Sequence, residues 1–540
     1  MSNDYDYIIV GGGSSGCVAA WRMVSEFGAK VLLLEAGADR ISPIMHMPAG
    51  YMKYLARDTY LDMHKMVPQP QIGGRSTIVP QARVLGGGSS VNAMVYMRGQ
   101  SGDYDNWART LGTGHDWSWD DMLGHFRALE KNDHLGAPFH GNEGRLHVSA
   151  PFHRAALTDA FVAAVQNAGE PFNPDFNAGR QRGVGYMQST IGPDRRRCSA
   201  VDAFLSQVLD DPRFELRTHA KVDRVIVEGG RAKGVEVHHN GERKRIHANS
   251  GVILAAGTYV TPKLLMLSGI GNANLLRGLG IAVVCDLPGV GQNLQDHCEV
   301  PVIHRSNGRY GYFGEDRGWR MIRNGLQYLL FRSGPVATIG VEACAFVNPD
   351  DPQADATLKI YCVPTVYVDR DVSGVDACDG LTMTCCLLRP QSRGSVSIRS
   401  ADPDDPPVID GGFLRDPTDM AMMLKGMRTA RGFVAQKPLA GMIADEIVPG
   451  KEAVSDEALH AHAKRMVKTN YHPVGTCKMG AEDDRMAVLD PALAVRGIGG
   501  LHVIDCSVMP SIVSGNTSAP AMAIAHKAAG LICHMHQKIA

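Results

Sequence analysis

The first apolar block of the chain, Tyr5-Asp6-Tyr7-Ile8-Ile9-Val10, reads as a buried strand. It meets a glycine–serine cluster at 11–16, then a helical run, Cys17–Phe27, then a second apolar strand, Lys30–Leu34, that ends at Glu35. That order predicts a βαβ unit. Further along, Val222–Val227 alternates and runs into Glu228-Gly229-Gly230, a hairpin signal. Asp402-Pro403-Asp404-Asp405-Pro406-Pro407 predicts a turn between short strands, and Asp416–Phe433 a helix. A membrane span needs about 18 apolar residues. The nearest candidate, Ala519–Cys533, carries His526 and Lys527 in its middle. No internal repeat or low-complexity stretch interrupts the pattern.

Composition narrows this picture. With 540 residues, 44% of them hydrophobic and 21% charged, the chain is an ordinary globular sequence with room for more than one core. Lys and Arg (55) balance Asp and Glu (56), so no global charge draws it to nucleic acid or an anionic surface. Twelve cysteines without a CxxC pair are too sparse for a disulfide scaffold. The acidic start, Met1–Asp6, lacks a basic n-region and an apolar h-region, so no signal peptide is expected. The expected setting is soluble, reducing and cytoplasmic. Glycine is the outlier at 60 residues, well above the average of about 7%.

Those glycines concentrate where chemistry is expected. Gly11-Gly12-Gly13-Ser14-Ser15-Gly16 is a GxGxxG turn between strand and helix, with Glu35 about twenty residues further on. Gly11 permits the tight turn, Gly13 lets backbone approach a pyrophosphate, and Gly16 lets helix and strand pack closely. Glu35 can accept hydrogen bonds from ribose hydroxyls. A dinucleotide is expected here, and the fingerprint alone does not separate FAD from NAD. A second small-residue loop, Arg83–Met94, has backbone amides free to run along a flat cofactor or its phosphates.

Seven further segments follow in order: Glu35-Ala36-Gly37; Arg83–Asn92; Gly99 with Asp103–Trp107; Gly251–Gly257 with Leu264–Gly271; Leu287–His297; Tyr471–Gly480; and Val503-Ile504-Asp505, Met509-Pro510 and Gly515-Asn516-Thr517. Together with the first turn they cover nearly the whole chain, and the sequence resembles the glucose–methanol–choline (GMC) flavin oxidoreductase family. The resemblance implies an α/β fold: a Rossmann-like FAD-binding domain interleaved with an α+β substrate domain containing an antiparallel sheet. It assigns 1–150, 192–298 and 465–540 to the FAD domain and 151–191 and 299–464 to the substrate domain.

The resemblance also implies the chemistry. Oxidising an alcohol to an aldehyde removes a hydride, which flavin N5 can accept, and a proton, which needs a base. A neutral imidazole suits that task, with a reference pKa near about 6.5. The family's base maps to His472, and its partner, His or Asn, to Asn516, an amide that can hydrogen-bond the substrate oxygen without competing for the proton. FAD contacts are expected at Gly11, Gly13, Ser14, Ser15, Gly16, Glu35 and Ala36 around the ADP half. Val84, Gly87, Asn92, Ala93, Met94 and Val95 follow along phosphates and flavin, with Val222 near adenine and Asp505, Asn516 and Thr517 at the ribityl–flavin end. Where some members attach FAD through a histidine, this chain has Val91, so the cofactor is expected to be non-covalent.

The expected substrate is a neutral primary alcohol, aromatic or bulky, with oxygen or a quinone as electron acceptor. Choline is the alternative, but an ungapped count from His297 places Arg305, beside His304, where choline-oxidising relatives have a glutamate. Tyr310, Tyr312, Phe313 and Trp319 are aromatic candidates for a cage, and packing is their commoner use. Tyr471 and the Met or Tyr side chains of 360–370 are candidates for the pocket wall. A cyanohydrin lyase on the same fold is a further reading, and a nucleotide-binding protein without catalysis another. His460–His462 and Cys533–His536 lack a second ligand pair, and no metal is expected. Arg195-Arg196-Arg197 reads as a solvated loop or phosphate-side face.

Overall fold

The computed structural model describes residues 5–39, 42–55, 59–367 and 374–537. Strand Tyr7–Val10 is fully buried, as its apolar run requires, and sits in the middle of a five-stranded sheet. Its neighbours are Val31–Leu34 and Gly251–Leu254, flanked by Phe214–Arg217 and Leu501–Val503, all paired in parallel. A sheet buried on both faces reads as continuous Val, Ile and Leu, which is the pattern of the three central strands, whereas the edge strand Phe214–Arg217 carries Glu215 and Arg217. Helix Ser14–Ser25 connects the first two strands. It begins three residues before the expected start because Gly13, in extended backbone, already acts as its N-cap. Helix Ser518–Gln537 packs along it, its apolar residues joining the same core.

A second sheet has antiparallel pairing and a separate core. Its path is Ile443–Val448, Cys298–Ser306, Gly380–Leu387, Leu358–Val363, Ala343–Val347, Gly183–Tyr186, with Lys468–Thr469 pairing the start of the second strand. Helix Pro417–Val434 lies against it, capped by the Asp416 side chain, one residue from the expected start. The Asp402–Pro407 turn joins Ser395–Ser397 to Val408–Asp410, which pair antiparallel. The alternating segment at 222–227 lies inside strand Ala220–Glu228 and forms the expected hairpin with Arg231–His239. Fold class therefore follows the expectation: a parallel α/β layer beside an antiparallel α+β layer. A third apolar cluster, including Met94, Met97, Phe346 and Leu388, fills the seam.

Candidate active site

A cavity of about 790 Å³ runs from the first glycine turn to His472, within the usual size range of cofactor and ligand sites. At one end, Gly11 (φ +106°) sits where an added Cβ would lie 2.4 Å from the Ala255 carbonyl oxygen. Gly87 (φ +53°) would strike Gly13 Cα at 2.7 Å. Only glycine lets these two loops touch. The cavity side is open: a Cβ on Gly88 would meet nothing within 4 Å. The first helix has no side-chain cap and no acidic residue in its opening turn, so its N–H groups and positive dipole end face this space. Glu35 holds the turn by accepting from Gly12 N–H (2.8 Å) and Gly37 N–H (2.7 Å), one bond per carboxylate oxygen. Each oxygen keeps acceptor capacity. This glycine cradle, helix terminus and carboxylate fit a dinucleotide pyrophosphate and ribose.

The second loop is braced by Arg197, from the run expected in a solvated loop or on a phosphate-side face. Arg197 is buried, not solvated, and donates to the carbonyl oxygens of Met45, Ser89 and Asn92 and to Asn92 Oδ1. Burial lowers its pKa to about 10. A buried guanidinium is tolerable when its donors are used, and here it fixes the loop that carries Asn92, Ala93 and Met94. Met94 adopts a left-handed φ of 58°.

At the far end, five separated segments converge. His297 Nε2 lies 3.1 Å from the Leu388 carbonyl oxygen, and His297 Nδ1 lies 3.0 Å from His472 Nδ1. Burial pushes the His297 pKa down to about 3 and the His472 pKa well below its usual value, so both rings are neutral. A carbonyl can only accept, so the His297 proton is on Nε2 and its Nδ1 is an acceptor. His472 must then carry its proton on Nδ1. Its Nε2 lone pair faces the cavity, 3.0 Å from Asn516 Nδ2. Lys359 Nζ donates to Asn516 Oδ1 at 3.0 Å, which orients the amide with its NH₂ toward the histidine. The His472 backbone N–H is held by Asp296 (2.9 Å), whose pKa burial raises to about 7. The preceding residue, Tyr471, is left-handed at φ 64°, a conformation that costs a bulky residue about 1 kcal/mol or more.

Among the expected site residues, Gly11, Gly13, Ser14, Ser15, Glu35, Ala36, Gly87, Asn92, Ala93, Met94, Val95, Val222, Asp505, Asn516 and Thr517 line the cavity with His472. Gly16 and Val84 lie behind it. A Cβ on Gly16 would be 2.0 Å from the Gly11 carbonyl oxygen, and Val84 is buried beside Ala38. Asp505 accepts from Gly257 N–H, Thr261 and Ser507 N–H.

The cavity wall near His472 includes the expected Tyr361, Tyr367 and Tyr471, but not Arg305 or the candidate aromatic cage. Arg305 is exposed and paired with Asp445 (3.2 Å). Trp319 is exposed, Tyr312 bonds Glu342, and neither they nor Tyr310 and Phe313 line the cavity. The aromatic wall is Tyr51, Tyr361, Tyr367 and Tyr471. Glu299, two residues after His297, is the carboxylate of this region, and it binds Lys468 (2.7 Å), Tyr361 OH (2.5 Å) and Asn470 Nδ2 (2.5 Å). The Lys468 ammonium stands over the rings of Tyr367 (5.3 Å) and Tyr471 (5.1 Å).

Comparison with known proteins agrees with this geometry. The N-terminal GMC oxidoreductase model matches residues 5–299 and the C-terminal one matches 390–525. The chain belongs to the GMC oxidoreductase family. It is an FAD-dependent oxidoreductase acting on CH–OH donors. A mitochondrial choline dehydrogenase of Mus musculus is 38% identical over 98% of this chain and 89% of its own length. An "Alcohol dehydrogenase [acceptor]" of Pseudomonas putida is also 38% identical, over 98% and 95%. The crystal structure of pyridoxine 4-oxidase from Mesorbium loti superposes with a TM-score of 0.89 at 28% identity, covering 99% of both chains.

Proposed function

We propose that this GMC enzyme oxidises a primary alcohol without positive charge, aromatic or otherwise bulky, to its aldehyde, with His472 as general base and Asn516 as its hydrogen-bonding partner. Bound FAD supplies the hydride acceptor, held without a covalent bond between the Gly11–Ser15 and Gly87–Val95 loops, with Glu35 and Ala36 at the ribose, Val222 near adenine, and Asp505 and Thr517 at the other end; Gly16 and Val84 support these loops from behind. The alkyl side chain of Val91 lines this space and has no atom to join to the cofactor.

An alcohol entering between His472 Nε2 and Asn516 Nδ2 meets one acceptor and one donor. Its O–H donates to Nε2 and its oxygen accepts from the amide. As the proton moves to Nε2, the imidazolium keeps its Nδ1–H on His297 Nδ1, an acceptor that spreads the new charge. Such general-base help contributes about 10²–10⁴-fold. The single observation that carries this reading is the chain Leu388 carbonyl–His297–His472, because it leaves the lone pair on the nitrogen that faces the cavity.

Exclusion of a cationic substrate rests on Lys468 and Lys359. A quaternary ammonium needs a free carboxylate or an open aromatic face. Here Lys468 neutralises Glu299 and already stands over Tyr367 and Tyr471. Lys359 adds a second ammonium beside Asn516. All twelve cysteines are unpaired, which supports a reducing, cytoplasmic setting. The division between the two sheets supports the proposed domains, 1–150, 192–298 and 465–540 against 151–191 and 299–464, except that Lys468–Thr469 pairs with the second sheet.

An anaerobic panel of alcohols, followed by bleaching of the flavin absorbance, tests the proposal. Benzyl-type alcohols should bleach the native protein faster than choline, and His472→Ala should retain FAD yet bleach at least about 10²-fold more slowly. Equal bleaching in His472→Ala refutes the assignment of the base. Preference for choline refutes the substrate class, and colour that survives every alcohol points to lyase chemistry.

A further inference from the structure

Helix Gly318–Phe331 is inside out. A surface helix ordinarily buries its apolar stripe and exposes its polar face. Here Asn324 and Tyr328 are the buried residues, at 2% and 1% exposure. Trp319, Ile322, Leu326, Leu329, Leu330 and Phe331 are between 53% and 73% exposed. The first five recur at i, i+3, i+7, i+10 and i+11, one continuous stripe on the outer side. Polar bonds hold the helix in this orientation. Asn324 Nδ2 donates to the Glu315 carbonyl (3.0 Å) and carboxylate (2.8 Å), and Tyr328 OH donates to the Arg195 carbonyl (2.8 Å). Single exposed leucines are ordinary, whereas a contiguous apolar stripe marks a docking surface.

The charge around the stripe identifies what docks there. Arg317, Arg320, Arg323 and Arg332 outnumber Glu315 and Asp316 in this segment. Arg320 and Arg323 pair with Glu315 and stand 6.0 Å and 5.0 Å from the Trp319 ring, so their stems border the apolar face. We propose that this helix lies in the surface of an anionic phospholipid bilayer, with Trp319 and the Leu–Ile stripe in the acyl boundary and the arginines at the phosphates. That arrangement matches interfacial helices, which combine a large apolar face with basic flanks. A second copy of the chain is a poorer fit, since a two-fold contact sets the same basic segment against itself. No helix among the described residues is long and apolar enough to cross a membrane, so the contact is with the surface.

The helix also adjoins the cavity. Asp316, at its start, pairs with Lys53 (3.2 Å), next to the cavity-lining residues Tyr51 and Met52. The chain beyond it reaches Ile339, whose carbonyl accepts from Tyr51 OH (2.9 Å), and then Val341 in the cavity wall. Docking therefore brings this part of the cavity wall near the bilayer.

Co-sedimentation of the holoenzyme with vesicles tests the proposal. The native protein should sediment with phosphatidylcholine vesicles containing phosphatidylglycerol, and less with phosphatidylcholine alone. The double variant Ile322→Glu/Leu330→Glu should lose about ten-fold or more of this binding while keeping its flavin absorbance. Arg323→Gln/Arg332→Gln, which leaves the stripe intact, should lose mainly the preference for phosphatidylglycerol. Native enzyme that stays in the supernatant with anionic vesicles overturns the proposal. So does a native dimer that the Glu variant converts to monomer without vesicle binding, which would assign the face to a second copy.

Discussion

Among the described residues, two pairs of histidines meet through their Nδ1 atoms, His297–His472 at 3.0 Å and His125–His526 at 2.8 Å. Burial pushes all four below the usual imidazole range. In each pair a third group sets the tautomer. The Leu388 carbonyl makes His297 Nδ1 an acceptor, and the Arg22 guanidinium, 3.1 Å from His526 Nδ1, does the same there. His472 and His125 are thus both protonated on Nδ1. They differ in what the other nitrogen sees. Nε2 of His472 faces a cavity and an amide, whereas Nε2 of His125 faces Asp121 at 3.9 Å, in a knot with Lys527. Similar local chemistry leaves a lone pair facing a cavity in one place and makes a fastening between helices in the other.

The largest expected effect separates the pairs outright. His472→Ala should lower the rate of flavin reduction by about 10²–10⁴-fold. His526→Ala should leave that rate within two-fold or so while lowering stability by about 1–3 kcal/mol, because Arg22 loses a buried partner. Reduction kinetics and denaturant melts on both variants check this, and equal kinetic losses would erase the contrast.

Next comes His297. Its replacement by Phe removes the acceptor that fixes the His472 proton, and kcat should fall on the order of 10²-fold with KM little changed. His297→Gln, which restores an acceptor oxygen, should recover part of that loss. A fall in KM alone, or no rescue by Gln, argues for a merely structural role.

Lys359→Met should act more gently. Its positive charge disfavours the His472 imidazolium, so its removal raises the His472 pKa. The acid limb of kcat/KM against pH should then move to higher pH, with kcat lowered about three- to ten-fold by the less well-held Asn516. An unmoved limb rejects electrostatic coupling between the two.

The smallest effect is shared by both pairs. Each imidazole stays neutral in the folded protein and takes a proton below about pH 6.5 when unfolded. Stability is therefore full above that pH and falls as pH drops from about 6.5 toward about 4. His462 and His502, both lowered to about 4, add to this. Asp296 and His140, whose pKa values are raised, pull the other way. Thermal melts at pH 5 and pH 7.5 should show the lower midpoint at pH 5, with a smaller difference in His526→Phe.

Consecutive residues carry what could be read without the fold. Strand 7–10, turn 11–16 and strand 31–34 interact with one another and with the backbone, so a pattern of apolar, glycine and acidic positions is enough to recognise them. His472 and Asn516 were legible because each stands in an ordered motif. His297 was on the page as well, at the end of Leu287–His297, but nothing local says that its ring points at His472.

The rest depended on register. Lys359, Cys386, Glu299 and Lys468 lie in one row across four neighbouring strands, which is how two lysines more than a hundred residues apart reach the same wall. Counting along the chain picked Arg305 instead. Six residues of strand beyond Glu299, it lies about 20 Å away, at a rise of about 3.3 Å per residue. The role of Arg197 was hidden for the same reason, since three consecutive arginines look solvated until a loop a hundred residues earlier supplies carbonyls to one of them. Chain order, with the motifs it carries, thus predicted the parallel α/β unit, the dinucleotide turn and His472 as the candidate base. Which nitrogen of His472 is free and what neutralises its neighbours were decided by tertiary structure, because hydrogen-bond direction and charge pairing act through space over a few ångströms and ignore separation in sequence.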